Sequence, residues 1–232
     1  MKKSNWRFIL STPDNGPNNM AIDEALFLSN CIDEFKAPVF RLYSWSAKCA
    51  TIGYFQKHTE FTGNIDVTRR LTGGLSVEHN NDLSYSFVIS KPYWQHVYDQ
   101  EKTYFHIHSS IKNALSDTGI KTEFSPQKQN IKLRDKKNIC VHTIYSNDLL
   151  IGNKKILGSC QRRRGNVILV QGSIHISKLS KNLKEFSSFL ISHLSSEFNA
   201  KFNLSQLSKN ELSEKLHLSE KKYNLPNWNR KF

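Results

Sequence analysis

The sequence predicts an α+β fold in which a mixed, mostly antiparallel sheet is flanked by helices, and three observations carry that expectation. Short segments alternate apolar and polar residues, as at residues 38–45 and 84–90, which is the period of half-buried strands. Tight turn signals separate later runs: Gly152-Asn153 divides 147–151 from 154–161, and Gly165-Asn166 precedes 167–176, so consecutive strands fold back as hairpins. Two longer stretches, 101–117 and 182–198, instead space apolar residues as amphipathic helices do.

Taken in order, residues 6–10 form a first strand, and Pro13-Asp14-Asn15-Gly16-Pro17 is a breaker-rich loop. Asn18 or Asn19 then caps a helix with Met20, Ala21, Ile22, Ala25, Leu26 and Phe27 on a broad apolar face. Asp23 and Glu24 in its early turns are read as capping and support. Residues 38–45 and 50–54 are expected to pair as a hairpin across Ser46-Ala47-Lys48. The segment 65–70 ends in Arg69-Arg70 and meets Thr72-Gly73-Gly74. Glycine there can take positive φ and let backbone N–H groups approach a ligand, so the turn is either an anion cradle or a hairpin corner with solvated arginines. In 84–90, Tyr85, Phe87 and Ile89 share one face and Ser84, Ser86 and Ser90 the other.

The helix at 101–117 carries Tyr104, Ile107, Ile111, Ala114 and Leu115 on its apolar side, ends before Gly119, and has His106 and His108 read as surface histidines. Residues 127–137 are a polar connection. Ser208 and Glu211 fit a capping box for a short helix reaching about residue 216. The basic tail 221–232 is expected to be only partly ordered.

At 232 residues the chain suits one domain. It has 38% apolar residues without a long uncharged run, which excludes a membrane-spanning helix. Met1-Lys2-Lys3-Ser4 starts no signal peptide, and a cytoplasmic protein is expected. Cys31, Cys49, Cys140 and Cys160 are widely spaced, indicating reduced thiols and neither a zinc site nor a disulfide framework. The net charge of +13 calls for acidic partners. Its cations are spread over 128–137, 162–164 and 201–231 with no nucleic-acid module, so acidic proteins are preferred to nucleic acid.

Arg69-Arg70-Leu71-Thr72-Gly73-Gly74, Val77, His79 and Asp82-Leu83-Ser84-Tyr85-Ser86 together resemble the central motif of the lipoate–protein ligase and octanoyltransferase family, within the biotin and lipoate ligase superfamily. Further blocks agree in the family's order: Asn19-Met20-Ala21-Ile22-Asp23-Glu24, Arg41-Leu42-Tyr43-Ser44-Trp45, Thr51-Ile52-Gly53-Tyr54-Phe55-Gln56, Asn147-Asp148-Leu149, Lys154-Lys155-Ile156-Leu157-Gly158-Ser159 and Gln171-Gly172-Ser173. The resemblance covers roughly residues 6–177. It implies a lipoate-ligase-like catalytic domain over 1–200, with 201–232 a short helical, basic extension too small to be the accessory domain many ligases carry. A separate subunit would supply that domain, or it is dispensable. The implied partners are acidic lipoyl-domain proteins, namely the E2 subunit of 2-oxoacid dehydrogenases and the glycine cleavage H protein, together with acyl-carrier protein.

The resemblance also assigns roles. Lys155 stands at the active-site lysine, where an ammonium can draw an acyl carbonyl or α-phosphate oxygen. Trp45, Gly53 and Phe55 are candidates for the acyl tunnel. In a ligase, ATP and lipoate form an acyl-adenylate, with Arg70, Thr72, Gly73, Gly74, His79, Asn147 and Asp148 binding the nucleotide and Asp148 on the magnesium side. Arg162-Arg163-Arg164-Gly165-Asn166 would then be mobile without ligand and ordered over a bound adenylate. In a transferase, octanoate passes through a cysteine thioester and no ATP is needed; Cys140, fifteen positions before Lys155, is the nucleophile of that reading. Asn147-Asp148-Leu149 resembles the ligases, whereas Leu75 in place of a third glycine and Asp82-Leu83-Ser84-Tyr85-Ser86 resemble the transferases. Cys140 is followed by Val141-His142 rather than Phe, and Gln171 replaces the family's His. The ATP-dependent ligase is the first expectation and the octanoyltransferase the alternative, with a non-catalytic binder of lipoyl domains or nucleic acid ranked below both.

Overall fold

The computed structural model describes residues 3–61, 63–126, 144–177 and 179–232. In chain order the elements are β1 (Ser4–Leu10), α1 (Gly16–Ile32), β2 (Val39–Tyr43), β3 (Cys49–Ile52), β4 (Asp66–Arg69), β5 (Val77–His79), β6 (Leu83–Ser90) and α2 (Gln100–Asp117). They continue as β7 (Glu123–Phe124), β8 (Leu149–Ile151), β9 (Lys154–Arg164), β10 (Val167–Ile174), α3 (Leu183–Glu197), β11 (Ala200–Leu204), α4 (Lys209–Leu218) and α5 (Pro226–Asn229). Eight strands form one sheet in the order β11-β1-β2-β6-β10-β9-β8-β7. Only the β11–β1 and β1–β2 pairings are parallel, so the sheet is mixed and mostly antiparallel, as the hairpin signals predict. No helix among the described residues is long and apolar enough to cross a membrane.

Strand alternation sorts the core into two layers. Phe8, Phe40, Tyr85, Phe87 and Ile89 meet Ile107, Ile111 and Leu115 of α2 and Phe186, Leu190 and Leu194 of α3. On the other face Ile9, Val39, Val88, Val167 and Leu169 pack under Ile22, Leu26 and Phe27 of α1. The serines of β6 therefore turn toward α1, where Ser86 finds a buried acceptor in Asp23.

The expected hairpin of 38–45 with 50–54 does not form. β2 is hydrogen-bonded on both sides, to β1 and β6, so it has no free edge for β3. β3 instead joins a second, three-stranded sheet in the order β4-β3-β5, which sets the turn at residues 70–75 against the large sheet. The cap of α1 also falls earlier than expected: the Asn15 side chain accepts from the Asn18 N–H, with Pro17 in the first turn where its missing N–H costs nothing. Asn19 is thereby released for the core. The Ser208–Glu211 capping box forms as expected. The tail is fully placed, because Tyr223 is buried with its hydroxyl on Glu24 and the Trp228 indole donates to the Arg69 carbonyl.

Beneath α1 lies a closed polar network. The Asp23 carboxylate accepts from Arg41 Nη1 at 2.7 Å and Ser86 Oγ at 2.6 Å on one oxygen. Tyr43 OH at 3.0 Å and Gln171 Nε2 at 2.7 Å donate to the other. Arg41 is fully buried and also bonds the Asn19 side chain and the Ser11 hydroxyl. Removing one member leaves a buried charge unpaired. Arg41→Leu is therefore expected to lower the unfolding free energy by about 3–5 kcal/mol in urea titration. A loss of no more than about 1 kcal/mol, the worth of an exposed pair, would show that Asp23 is readily rehydrated.

Candidate active site

A cavity of about 490 Å³ opens where β9 and β10 approach the turn at residues 70–75, the small sheet and the start of α2. That size is ordinary for a small-ligand pocket. Lys155 reaches it through an irregularity in the β8–β9 ladder. Leu150 pairs with Lys155 but Leu149 with Leu157, so β9 holds one residue more than its partner, and such bulges re-aim side chains. Lys155 Nζ lies 2.7 Å from Asp148 Oδ2, with both side chains 5% exposed. Burial pushes the Asp148 carboxyl up, and Lys155 and the Tyr145 N–H draw it only part of the way back. Gly158 makes the space: a Cβ there would stand 2.4 Å from Lys155 Cε and 2.5 Å from Nζ.

The two arginines of the motif are engaged with backbone carbonyls. Arg69 donates to Gly53, Tyr54, Gln56, Trp228 and Asn229. Arg70 Nη2 reaches the Gly73 and Leu75 carbonyls, both at 2.7 Å, and so winds the turn around its own guanidinium. Gly74 has φ +87°, and Gly53 packs so closely on it that a Cβ would meet the Gly74 carbonyl at 1.9 Å. Thr72 Oγ1 donates to Gln171 Oε1 at 2.8 Å and lies 3.0 Å from Cys160 Sγ. Through Gln171 the turn is thus tied to Asp23.

His79 lies in the cavity wall with Nδ1 2.8 Å from Asp82 Oδ2 and Nε2 3.0 Å from the Thr51 hydroxyl, and Trp45 stacks on its ring at 3.8 Å. Burial alone would raise the Asp82 carboxyl. His79 and the Ser173 hydroxyl outweigh it and hold the pKa at about 2, below the ordinary 3.8.

His108 was expected at the surface and is fully buried; His106, half-buried, pairs with Glu197. His108 Nδ1 faces the Asn147 carbonyl, which must accept, so Nε2 is left to accept from Ser159 Oγ at 2.7 Å. Tyr85 OH bonds the same serine. Burial lowers the His108 pKa to about 4, keeping the ring neutral. The sequence signal was its position: His108 lies at i+4 from Tyr104 and one residue from Ile107, on the apolar side of α2.

The model of the lipoyl protein ligase A/B catalytic domain matches residues 15–210. The chain belongs to that family. The octanoyltransferase LipM of Clostridioides difficile (strain 630) is 32% identical over 227 residues, spanning 88% of this chain and 83% of its own. The octanoyltransferase LipM of Carboxydothermus hydrogenoformans is 35% identical over 190 residues, spanning 77% and 69%. The bi-partite lipoate protein ligase of Thermoplasma acidophilum superposes with a TM-score of 0.77 at 22% identity, covering 98% of this chain and 96% of that one. A lipoate-protein ligase A bound with ATP gives 0.79 at 23%, covering 97% and 98%. At such identity the structural likeness is one of fold. This chain is an enzyme of the lipoate ligase and transferase family, and its field is protein lipoylation.

Of the residues singled out from sequence, Lys155, Asp148, Arg70, Gly73, Gly74, His79 and Trp45 line the cavity. Thr72 is buried directly behind it. Asn147, at φ +68°, contributes its carbonyl to His108 and its amide to Glu101. Gly53 supports the turn from behind without lining the cavity. Phe55 is corrected: it is 74% exposed and packs on Tyr54 and Phe232 outside the cavity, because the chain turns outward after Gly53. Cys140 and the polar connection at 127–137 lie outside the described residues. The arginines 162–164 are strand residues of β9; Arg162 lies over Tyr54, and Arg163 over Tyr98 with a bond to the Val97 carbonyl.

A magnesium ion at Asp148 does not fit this arrangement. Lys155 already holds one carboxylate oxygen, and no cluster of three or more His, Cys, Asp or Glu suited to a metal occurs among the described residues. Magnesium is usually held by one or two carboxylates together with substrate phosphates, and here the carboxylate is engaged with an ammonium.

Two outcomes follow from this geometry. Because Asp82 has a depressed pKa in the folded state, its stabilisation is present above about pH 4 and lost as pH falls through about 2. Asp82→Asn should remove about 2 kcal/mol of the acid-dependent part, seen as a flatter stability profile over that window; an unchanged profile would show that Asp82 is not held ionised. Gly158→Ala should push the Lys155 ammonium off Asp148; with Lys155 in the role the family resemblance implies, turnover should fall by about 10²–10³, the usual loss for one electrostatic donor. Wild-type turnover would mean that Lys155 has another route into the cavity.

Proposed function

We propose that the chain is an octanoyltransferase, taking an octanoyl group from acyl-carrier protein as a thioester and delivering it to the acceptor lysine of a lipoyl domain. The observation that carries the reading is the Lys155–Asp148 pair in the cavity wall. Asp148, the group expected to serve magnesium, instead holds the lysine. Arg70, expected on phosphate, is turned onto its own loop. Relatives that are octanoyltransferases support the same choice, so the ATP-dependent ligase, first in the sequence reading, gives way to the alternative. ATP and an acyl-adenylate have no part in this route.

The chemistry has two balanced steps. The Cys140 thiolate attacks the octanoyl thioester carbonyl; the new carbon–sulfur bond forms as the carrier's thiolate leaves. The acceptor lysine, as a neutral amine, then attacks the acyl-cysteine, the amide forms, its proton passes to solvent or a nearby base, and the Cys140 thiolate is regenerated. Both steps build negative charge on the carbonyl oxygen. Lys155 is the cation placed for it, and burial makes its field stronger than it would be in water. Asp148 holds the ammonium in place. The acyl chain lies in the cavity along Trp45, Met20 and Tyr43, a wall that excludes water from the thioester. The expected acceptors are acidic lipoyl-domain proteins, such as dehydrogenase E2 subunits and glycine cleavage H protein.

Incubation with octanoyl-carrier protein, without ATP, should add one octanoyl group to Cys140 by mass spectrometry. Lys155→Ala should slow transfer by about 10²–10³ with the fold retained. Cys140→Ser should abolish it, since a hydroxyl is hardly ionised where a thiol of pKa about 8.5 supplies some thiolate. ATP-dependent lipoylation that survives Cys140→Ser would restore the ligase.

A further inference from the structure

Beside the cavity mouth, three separate parts of the chain build an aromatic and cationic patch. The Arg162 guanidinium lies 4.9 Å from the centre of the Tyr54 ring. Lys231 Nζ lies 5.0 Å from the same centre and 3.0 Å from its hydroxyl. Phe55 and Phe232 flank Tyr54, with ring centres 4.8 and 6.0 Å away. Phe55 is 74% exposed and Phe232 46%. An exposed phenylalanine pair rimmed by cations is a common signature of a protein contact.

The patch is continuous with the reaction site. The Tyr54 N–H bonds the Thr72 carbonyl at 2.9 Å, so the patch rests on the turn that forms one cavity wall. On β9, Cys160 faces the turn at Gly74, and Arg162, two residues on, is on the same side of the strand. From Gly158, which houses the Lys155 ammonium, to Arg162 is four strand residues, roughly 13 Å at about 3.3 Å per residue. Arg162 therefore lies about 13 Å along the strand from Gly158, within the reach of a flexible arm.

Cations surround the patch. Tyr54 is lowered in pKa first by its hydrogen bond to Lys231, with Arg162 and Lys222 acting in the same sense. His58, whose N–H bonds the Phe232 carbonyl, is lowered first by burial and then by Arg230 and Arg69. No salt bridge of Arg162 or Lys231 to a carboxylate occurs among the described residues.

We propose that this patch docks the acyl donor, an acidic carrier protein, at the point where its phosphopantetheine arm enters the cavity: Arg162 and Lys231 take the phosphate and neighbouring carboxylates, and Phe55 and Phe232 meet the protein's apolar surface. The proposal rests on the transferase reading. A free coenzyme A thioester shares the phosphate but leaves the phenylalanines without a function, and a lone pantetheine thioester has neither feature. The carrier protein alone uses both halves of the patch. Cations placed this way act mainly by steering encounter and holding register.

The test compares three donors: octanoyl-carrier protein, octanoyl-coenzyme A and octanoyl-pantetheine. The double variant Arg162→Glu with Lys231→Glu should raise KM for the carrier protein roughly tenfold or more, with kcat and all rates from octanoyl-pantetheine unchanged. Phe55→Ser should raise KM for the carrier protein and leave octanoyl-coenzyme A unaffected. An unchanged KM for the carrier protein would overturn the proposal. So would an equal loss with octanoyl-pantetheine, which would place the effect inside the cavity, and so would a rise confined to the lipoyl-domain acceptor. Losses shared equally by coenzyme A, with Phe55→Ser silent, would leave a phosphate site without docking and overturn it too. If the wild type transfers from none of the donors, the transferase reading fails by itself. Fluorescence anisotropy of labelled carrier protein still reads the patch: binding weakened about tenfold by the charge reversal supports it, and equal binding overturns it.

Discussion

The buried Asp23 carboxylate is the interaction on which the arrangement of the site depends. One carboxylate in the core ties α1 to β2 through Arg41 and Tyr43, to β6 through Ser86, and to β10 through Gln171. A charge this far from water is tolerable only when its acceptor sites are filled, so helix and strands have little freedom to slide against one another. The consequence reaches the cavity. Gln171 gives its amide N–H to Asp23 and its amide oxygen to Thr72, which fixes the height of the Thr72-Gly73-Gly74 turn above the sheet. Gln171 can fill both roles, since an amide offers one donor and one acceptor.

Cations here divide by what surrounds them. Arg41, Arg69 and Arg70 are buried and are turned onto carboxylate or carbonyl oxygens of the chain. For Arg69 the five carbonyls come from two distant segments, so a single guanidinium fastens the C-terminal residues to the strand that precedes the turn. Lys155 is buried as well but points into a cavity, with one counter-ion. Arg70 lines the same cavity, but its guanidinium is held by the Gly73 and Leu75 carbonyls, whereas the Lys155 ammonium is held by a side-chain carboxylate. Burial and charge are shared by all four.

Much of this was legible in the sequence. Period-2 alternation, hairpin turns and amphipathic helices gave the architecture, and blocks such as Arg69–Gly74 and Lys155–Ser159 pointed to the cavity wall. What the sequence could not show is what depends on contacts between distant residues. Whether Arg70 faces a ligand or its own turn depends on where Gly73 and Leu75 place their carbonyls. Whether Asp148 serves a metal or Lys155 depends on a one-residue bulge, and no propensity marks it. His108 reads as polar and therefore exposed until Asn147 and Ser159, from the β8–β9 region, supply its partners. β2 and β3 read as a hairpin because the local pattern contains no sign that β1 and β6 already occupy both edges of β2.

Gly158 carries a consequence for how such a chain can change over evolutionary time. The space it leaves is filled by the lysine, and the register places Ser173 opposite it, with Gly172 opposite Ser159, so that a Cβ on Gly172 would meet Tyr85 at 2.5 Å. The two hydrogen-only positions form a diagonal notch through neighbouring strands, one half holding the ammonium and the other the phenol. A side chain at Gly158 can be accommodated only by withdrawing or shortening Lys155, and Lys155 can be shortened only with loss of its charge from the cavity. Each residue therefore blocks single-step replacement of the other. A glycine in the cavity wall is thereby as constrained as the lysine beside it.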